Sequence, residues 1–362
     1  MSTIARLTVT PIAAPMARPW VPEAPTMHLL RVDIEDADGR RGAGFSWTPT
    51  IGATAVAALL REDIARFVVG RDSDPEQLWP ALWAHLHEAG GGGLTTIAMA
   101  GVDLALWDLR ARAAEQSVAA LLGRRHERLP VYGSGVNLHY SDAELAAQVE
   151  RWLERGITAV KIKVGRPDLA EDLRRVRLVR SLLGPEGELM IDANQRWDLA
   201  TATHAIETLA ESAPSWIEEP LRADDTLGYT ELARRIATPI ALGENLHTIY
   251  RFQDALAHGF AAVVQPNIVR VGGITPFRTI VEAAETAGVR IAPHLLPDLS
   301  AQLAATLTEP CWVEDVEDAG FEALGILAEP SPVQITGAWA HLTETPGLGL
   351  DLIPPTTMED NE

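Results

Sequence analysis

Lys161 and Lys163 alternate with Val160, Ile162 and Val164 at period two, the pattern of a β-strand with one cationic and one aliphatic face. Downstream, three short apolar runs end in acids: Met190-Ile191 leads to Asp192, Trp216-Ile217 to Glu218, and Ile240-Ala241-Leu242-Gly243 to Glu244. Asn194, Glu219 and Asn245 follow these acids closely and are placed to support them from behind. Three acids at three strand ends supply hard oxygen ligands in a number that suits Mg²⁺, with octahedral positions left for water and substrate oxygens. Bound to a substrate carboxylate, such an ion draws charge from the α-carbon and stabilises the enediolate left when the α-proton departs.

That proton needs a base. Lys163 suits the task, because Lys161 and a nearby metal both disfavour a further positive charge and lower its pKa, while the neighbouring acids push the other way. His294 closes the run Arg290-Ile291-Ala292-Pro293 and is placed to reach the opposite side of the substrate carbon as a second base or an acid. Glu314, after Cys311-Trp312-Val313, donates a hydrogen bond to the second carboxylate oxygen if burial keeps it protonated. The partner expected from this set is a small-molecule carboxylate.

The elements that must position these groups follow from their spacing. Positions 161, 192, 218, 244, 267, 294 and 314 are separated by 31, 26, 26, 23, 27 and 20 residues, each interval a strand-plus-helix unit of a (β/α)₈ barrel. Polar residues closing successive strands belong at the barrel's C-terminal face, where such folds build their active sites. The fold class is therefore α/β, with the first barrel strand at Leu129–Ser134 and the alternation running to about residue 325. A boundary is expected near Leu122–Arg125.

Ahead of that boundary, Ile4–Thr10, Met27–Ile34 and Arg41–Trp47 alternate like strands, with Asp36-Ala37-Asp38-Gly39 a turn between the last two. The proline-rich stretch from Ala13 to Pro25 is a loop and a candidate lid carrying Trp20. Arg18, Trp20, His28 and Trp47, with the segment Trp47–Thr50, are the candidates to meet the far end of the substrate. Helical patterns occupy 50–69, 75–89 and 94–122. Gly90–Gly93 lacks a phosphate loop's Gly-Lys-Ser/Thr ending and reads as a connector. His85 and His87 do not share a helix face, which argues against a metal pair. The stretch Ala100–Asp108 reads as packing between domains, and Pro354–Glu362 as a frayed tail.

The 362 residues suffice for a barrel and a smaller domain, and 47% apolar with 22% charged residues describes a folded protein. A formal charge of −20 argues against a nucleic-acid partner, which requires a basic stripe. The single cysteine, Cys311, excludes an internal disulfide and fits a reducing compartment. No signal-peptide core or membrane-spanning run is visible, so a cytoplasmic location without membrane contact is expected.

Taken in order, Ala105-Leu106-Trp107-Asp108, Lys161-Ile162-Lys163, Asp192-Ala193-Asn194, Glu218-Glu219-Pro220, Gly243-Glu244-Asn245, Gly272-Gly273-Ile274-Thr275 and His294 give the chain a close resemblance to the enolase superfamily, in its mandelate racemase subgroup. The resemblance implies an α+β capping domain over 1–125, a modified TIM barrel, (β/α)₇β, over 126–325, and a C-terminal segment over 326–362 returning to the cap. It further implies Mg²⁺ on Asp192, Glu218 and Glu244, Lys163 as base on one face and His294 on the other, and an even-numbered homo-oligomer, dimer to octamer. Glutamate as third ligand, with histidine at the seventh strand, favours this subgroup over the muconate-cycloisomerase one.

One position departs from the family pattern. Asn267 stands where an aspartate would pair with the seventh-strand histidine; a neutral amide orients the ring but does not stabilise imidazolium. That disfavours symmetric two-base racemisation. The reading is a Mg²⁺-dependent dehydratase of an aldonate or aldarate, followed by an aldarolactone cycloisomerase, then an α-hydroxy-acid racemase. A non-catalytic barrel is the alternative of another class.

Overall fold

The computed structural model describes residues 2–20 and 25–355. Part of the candidate lid, residues 21–24, and the tail from 356 onward lie outside the described residues.

Three strands, β1 (Ile4–Pro15), β2 (Thr26–Asp36) and β3 (Arg41–Thr48), form an antiparallel meander. The β2–β3 turn is closed by Asp36, whose Oδ1 accepts the backbone N–H groups of Asp38 and Arg40 at 3.0 and 2.9 Å. Helices α1 (Ala53–Leu59), α2 (Ala65–Val68), α3 (Pro75–Leu86), α4 (Leu94–Ala113) and α5 (Val118–Leu121) complete this part. Three departures from the sequence expectation occur, and one is that β1 continues through Ala13–Pro15, expected as loop, because these residues pair with Thr26–His28. The first helix carries a π-type turn at Leu60–Ile64. The long helical pattern breaks after Ala113, where Glu115 takes φ 54° and Ser117 caps a new helix by accepting from Ala120 N–H at 3.2 Å. The β-sheet rests directly on α4. A Cβ at Gly44 would lie 2.4 Å from the Ala105 backbone nitrogen, so only glycine permits the approach.

The barrel follows as β4 (Arg128–Ser134), α6 (Asp142–Glu154), β5 (Ala159–Lys163), α7 (Leu169–Leu183), β6 (Glu188–Asp192), α8 (Leu199–Leu209), β7 (Trp216–Glu218), α9 (Thr226–Arg235), β8 (Ile240–Leu242), α10 (Ile249–His258), β9 (Val263–Val264), α11 (Ile274–Ala287), β10 (Arg290–Ile291), α12 (Pro297–Ala304) and β11 (Val313–Val316). Consecutive strands from β4 to β10 pair in parallel and β11 pairs with β4, so the last strand returns to the first without a helix of its own: (β/α)₇β. Helices α6 to α10 begin on side-chain caps at Ser141, Asp168, Asp198, Asp225 and Thr248. Among the described residues no helix is long and apolar enough to cross a membrane.

The barrel interior is layered by the two-residue strand period. Tyr132, Ala159, Met190, Trp216, Ala241, Val263 and Ala292 form a buried apolar layer against Trp312. Two residues further along the same strands stand Ser134, Lys161, Asp192, Glu218, Gly243, Gln265, His294 and Glu314. The apolar layer seals the floor, and the next inward layer carries the polar groups. Val160 and Ile162 face outward into the helix-packed core.

After the barrel, β12 (Val333–Thr336) and β13 (Trp339–Leu342) form a hairpin whose second strand pairs antiparallel with the start of β4. The chain then reaches the cap: Leu348 N–H donates to Asp108 Oδ1 at 2.6 Å and Arg31 Nη1 to Asp351 Oδ1 at 2.7 Å. Asp108 also accepts from Ala43 N–H at 2.8 Å and Arg112 Nε at 2.7 Å, tying helix, sheet and C-terminal segment together.

A second junction joins cap to barrel. Thr275, at the start of α11, receives the Trp107 indole N–H at 2.9 Å and donates its hydroxyl to Asp103 Oδ1 at 2.6 Å. Its backbone N–H reaches Asp103 Oδ2 at 3.0 Å. Gly273, at φ 111°, passes so close that a Cβ would lie 2.3 Å from Asp103 Oδ2. The motif Ala100–Asp108 is thus domain packing, as its pattern predicts.

Candidate active site

At the C-terminal ends of the barrel strands, Lys161 is fully buried and flanked by acids. Its Nζ lies 2.8 Å from both oxygens of Glu218, 2.8 Å from Glu314 Oε1 and 3.9 Å from Asp192 Oδ2. Burial opposes its charge, but Glu218 and then Glu314 outweigh that and hold its pKa well above the ordinary value. Lys163, one inward step further, donates to Asp192. Its pKa is raised as well, burial being overcome by Asp192 despite repulsion from Lys161. The acid beside the amine thus outweighs the lysine beside it.

The expectation for Glu314 is corrected. The carboxylate accepts the Ser134 hydroxyl at 2.7 Å, the Leu295 N–H at 2.8 Å and Lys161. Burial raises its pKa, yet Lys161 and its other partners bring it down to about 2. Glu314 is an ionised acceptor bracing Lys161 and does not donate.

Asp192 Oδ1 accepts the Asn194 N–H at 2.8 Å. Glu218 Oε2 accepts from Gln265 Nε2 at 2.7 Å. Asn245 Nδ2 donates to Glu244 Oε1 at 2.9 Å and to Glu219 Oε2 at 2.7 Å. Arg270 Nη1 donates to Asn245 Oδ1 at 2.6 Å and to the Glu244 carbonyl at 3.0 Å. His294 Nε2 lies 2.5 Å from Glu244 Oε2, and its Nδ1 meets the Asn267 amide at 3.0 Å. The chain turns abruptly after these strand ends: Asn194, Glu219, Leu295 and Leu296 take φ 43°, 38°, 56° and 52°. Left-handed backbone at non-glycine residues costs about 1–3 kcal/mol each and is retained where a site over-determines it.

Among the described residues, no three His, Cys, Asp or Glu side chains converge closely enough to hold one ion. The physical reason is visible in the pairing. Asp192, Glu218 and Glu244 have each taken a neighbouring nitrogen, from Lys163, Lys161 and His294 respectively. The site nevertheless suits a divalent cation. Five buried acids, Asp192, Glu218, Glu219, Glu244 and Glu314, face two lysines. Glu219 Oε1 is buried without a hydrogen-bond partner, and burial, then Glu244 and Asp192, push its pKa well above the carboxylate range. Such an excess of buried negative charge is costly unless a cation offsets it, and all-oxygen donors select a hard one.

Of the four lid candidates, Arg18 is engaged by acids beyond the barrel strand. Arg18 does not reach the lysines: its Nε donates to Asp318 Oδ2 at 2.6 Å and stands 3.6 Å from Glu317, so it latches the lid loop to the end of β11. Trp20 meets Trp47 edge-on with ring centroids 6.0 Å apart, and Arg270 stands 5.5 Å over the Trp47 ring. His28 pairs across the sheet with Thr48. The space beside Trp20, Ser134 and Tyr140 amounts to only about 10 Å³. A larger cavity of about 540 Å³ opens at the other end of the barrel, by Trp216, Cys311 and Trp312, away from every lysine and acid of the site. Chemistry, not volume, marks the site. Ser134, Gln265 and Arg270 receive no role from the sequence reading. Ser134 and Gln265 were findable, since each lies two residues past an inward apolar residue, Tyr132 or Val263.

A capped (β/α)₇β barrel with this lysine and acid arrangement defines a class, and the comparisons specify it. Residues 144–355 match the family described as enolase C-terminal domain-like, and residues 5–123 match the mandelate racemase / muconate lactonizing enzyme N-terminal domain. The chain belongs to the enolase superfamily, in the mandelate racemase/muconate lactonizing enzyme subgroup. It is 37% identical over 326 residues to a 3,6-anhydro-alpha-L-galactonate cycloisomerase of Streptomyces coelicolor, covering 90% of this chain and 89% of the relative. An L-talarate/galactarate dehydratase of Salmonella typhimurium is 38% identical over 293 residues, covering 80% of this chain and 73% of the relative. Among solved structures, a racemase from Streptomyces coelicolor with bound magnesium superposes with a TM-score of 0.90 at 34% identity, over 96% of this chain and 97% of that one. The protein is a magnesium-dependent enzyme that forms an enediolate from a carboxylate substrate. That sets aside the non-catalytic alternative.

Proposed function

We propose that the enzyme dehydrates an acid sugar, an aldonate or aldarate, to a 2-keto-3-deoxy acid. The observation that carries this reading is the one-sided site: an amine, Lys163, buried beside Asp192, faces a histidine partnered by the amide of Asn267. Asp192, Glu218 and Glu244 would hold Mg²⁺, which supplies Lewis-acid stabilisation of the carboxylate as its α-carbon becomes electron-rich. Once Asp192 is engaged elsewhere and no longer holds its charge, Lys163 as free amine takes the α-proton. Lys161, kept an ammonium by Glu218 and Glu314, offers a fixed positive charge to the developing negative one. Asn194, Glu219 and Asn245 steady the acids, and Trp20 and Trp47 close the mouth over the substrate. The dehydratase relatives, of talarate/galactarate and of L-rhamnonate, support the substrate class. A ring-opening cycloisomerisation is the second reading, favoured by the 90% coverage of the anhydro-galactonate relative.

Proton NMR in D₂O with Mg²⁺, run against aldonates, aldarates and their lactones, tests this. Loss of an α-proton with growth of a deuterated 3-deoxy-2-keto acid is expected, and Lys163→Ala abolishes both. A keto acid formed only from lactones or anhydro-acids selects the second reading, and α-exchange without any keto product defeats both. We also infer a cytoplasmic homo-oligomer, even-numbered between dimer and octamer, with no nucleic-acid partner at a charge of −20. Sedimentation as a single 39.1 kDa species would contradict the assembly.

A further inference from the structure

Asn267, just past β9, is wholly buried, and its amide oxygen accepts the backbone N–H groups of Val269 at 3.1 Å and Arg270 at 3.0 Å. Turned over, the amide would set its NH₂ against these two N–H donors and leave them buried and unmet, a costly arrangement. The backbone therefore dictates which end of the amide faces the ring: its nitrogen, 3.0 Å from His294 Nδ1. A donor at that point requires Nδ1 to carry a lone pair. A neutral ring with its lone pair at Nδ1 carries its one proton on Nε2.

We infer that Asn267 is a positioning residue that fixes His294 as the Nε2–H tautomer, so that His294 meets the substrate as a hydrogen-bond donor and not as a second base. An aspartate at this position would reverse the polarity, accepting from Nδ1–H and freeing the Nε2 lone pair to take a proton.

The consequence rests on the dehydration reading above. Both proton transfers fall to Lys163. The free amine takes the α-proton and becomes an ammonium. The bond from the β-carbon to its oxygen then breaks with its electron pair on oxygen, the ammonium returns its proton there, and water departs. Lysine is an amine again, and the enol left behind moves its O–H proton to carbon 3 through solvent to give the keto acid. His294 forms a hydrogen bond to a substrate oxygen throughout and neither gains nor loses a proton. Elimination is syn, and the α-carbon is not inverted.

The test is a two-bond ¹H–¹⁵N correlation on enzyme labelled with ¹⁵N-histidine, with and without Mg²⁺, His294 being assigned by the signals lost in His294→Gln. The wild type is expected to give the Nε2–H pattern, Asn267→Asp the Nδ1–H pattern, and Asn267→Ala a mixture of tautomers. Recovered substrate from D₂O is expected to keep its α-configuration with the wild type and to appear epimerised with Asn267→Asp. An Nδ1–H or doubly protonated His294 in the wild type overturns the inference, and so does a pattern that Asn267→Ala leaves unchanged. The Nε2–H pattern without turnover of any acid sugar would defeat the dehydration reading and leave the tautomer assignment standing.

Discussion

Lys161 and Lys163 sit two residues apart on one strand, yet each holds a different set of acids, and that division gives them different tasks. Lys161 is clamped between Glu218 and Glu314, and among the described acids Lys163 forms an ion pair with Asp192 alone. A residue held by two ion pairs keeps its charge, whereas one held by a single acid can be released when that acid is engaged elsewhere. Removing Lys161 strands two buried carboxylates. Lys161→Met is therefore expected to lower stability by about 3–5 kcal/mol, the usual cost of breaking a buried pair from one side. Thermal denaturation in the absence of metal checks this; a melting temperature within a degree of the wild type would mean that the acids find other partners.

At the level of elements, the junction between α4 and α11 controls how the cap sits over the site. Burial, opposed by the bonds from Thr275, raises the Asp103 pKa to about 7. An unfolded aspartate titrates near 3.9, so between about pH 4 and 7 the folded state binds more protons than the unfolded one. Stability from this group is thus fully present below about pH 4, falls as pH rises to about 7 and is constant beyond, a loss on the order of 4 kcal/mol. Asp103→Asn is expected to flatten that slope. Urea titrations of both proteins at pH 5 and pH 7.5 decide it, and an identical pH dependence would place the charge elsewhere. Both partners in this junction belong to motifs seen in the sequence, but no spacing rule announces that Asp103 and Trp107 converge on Thr275 across a gap of more than 160 residues.

For the whole molecule, the excess of buried acids at the barrel mouth links folding to metal. A cation that binds only the folded protein stabilises it by about 2.7 kcal/mol at a concentration 100 times its dissociation constant. Chelation is therefore expected to lower the melting temperature reversibly and to stop α-proton exchange, with Mg²⁺ restoring both. A melting temperature indifferent to Mg²⁺ would show that the lysines alone satisfy the acids. The same excess explains why a formal charge of −20 coexists with an anion-binding site: the two lysines and the metal act locally, where the low dielectric magnifies them.

The barrel was legible in the sequence because its determinants are local. A period of two set the strand faces, a polar residue closed nearly every strand, and intervals of 20 to 31 residues returned the chain to the same barrel end each time. Asp192, Glu218, Glu244, Lys163 and His294 could be named on that basis. Other features arise from contacts between distant segments, and only the tertiary structure decided them. Arg18 proved a latch because Asp318 lies within its reach across 300 residues of chain. Glu314 proved an acceptor because Lys161, the Ser134 hydroxyl and the Leu295 N–H converge on it. The direction of the Asn267 amide, and with it the proton on His294, depends on two backbone N–H groups whose aim is set by the turn after β9. Spacing determines which residues share a face; the sign and direction of each interaction there depend on which donors and acceptors the fold brings within about 3 Å.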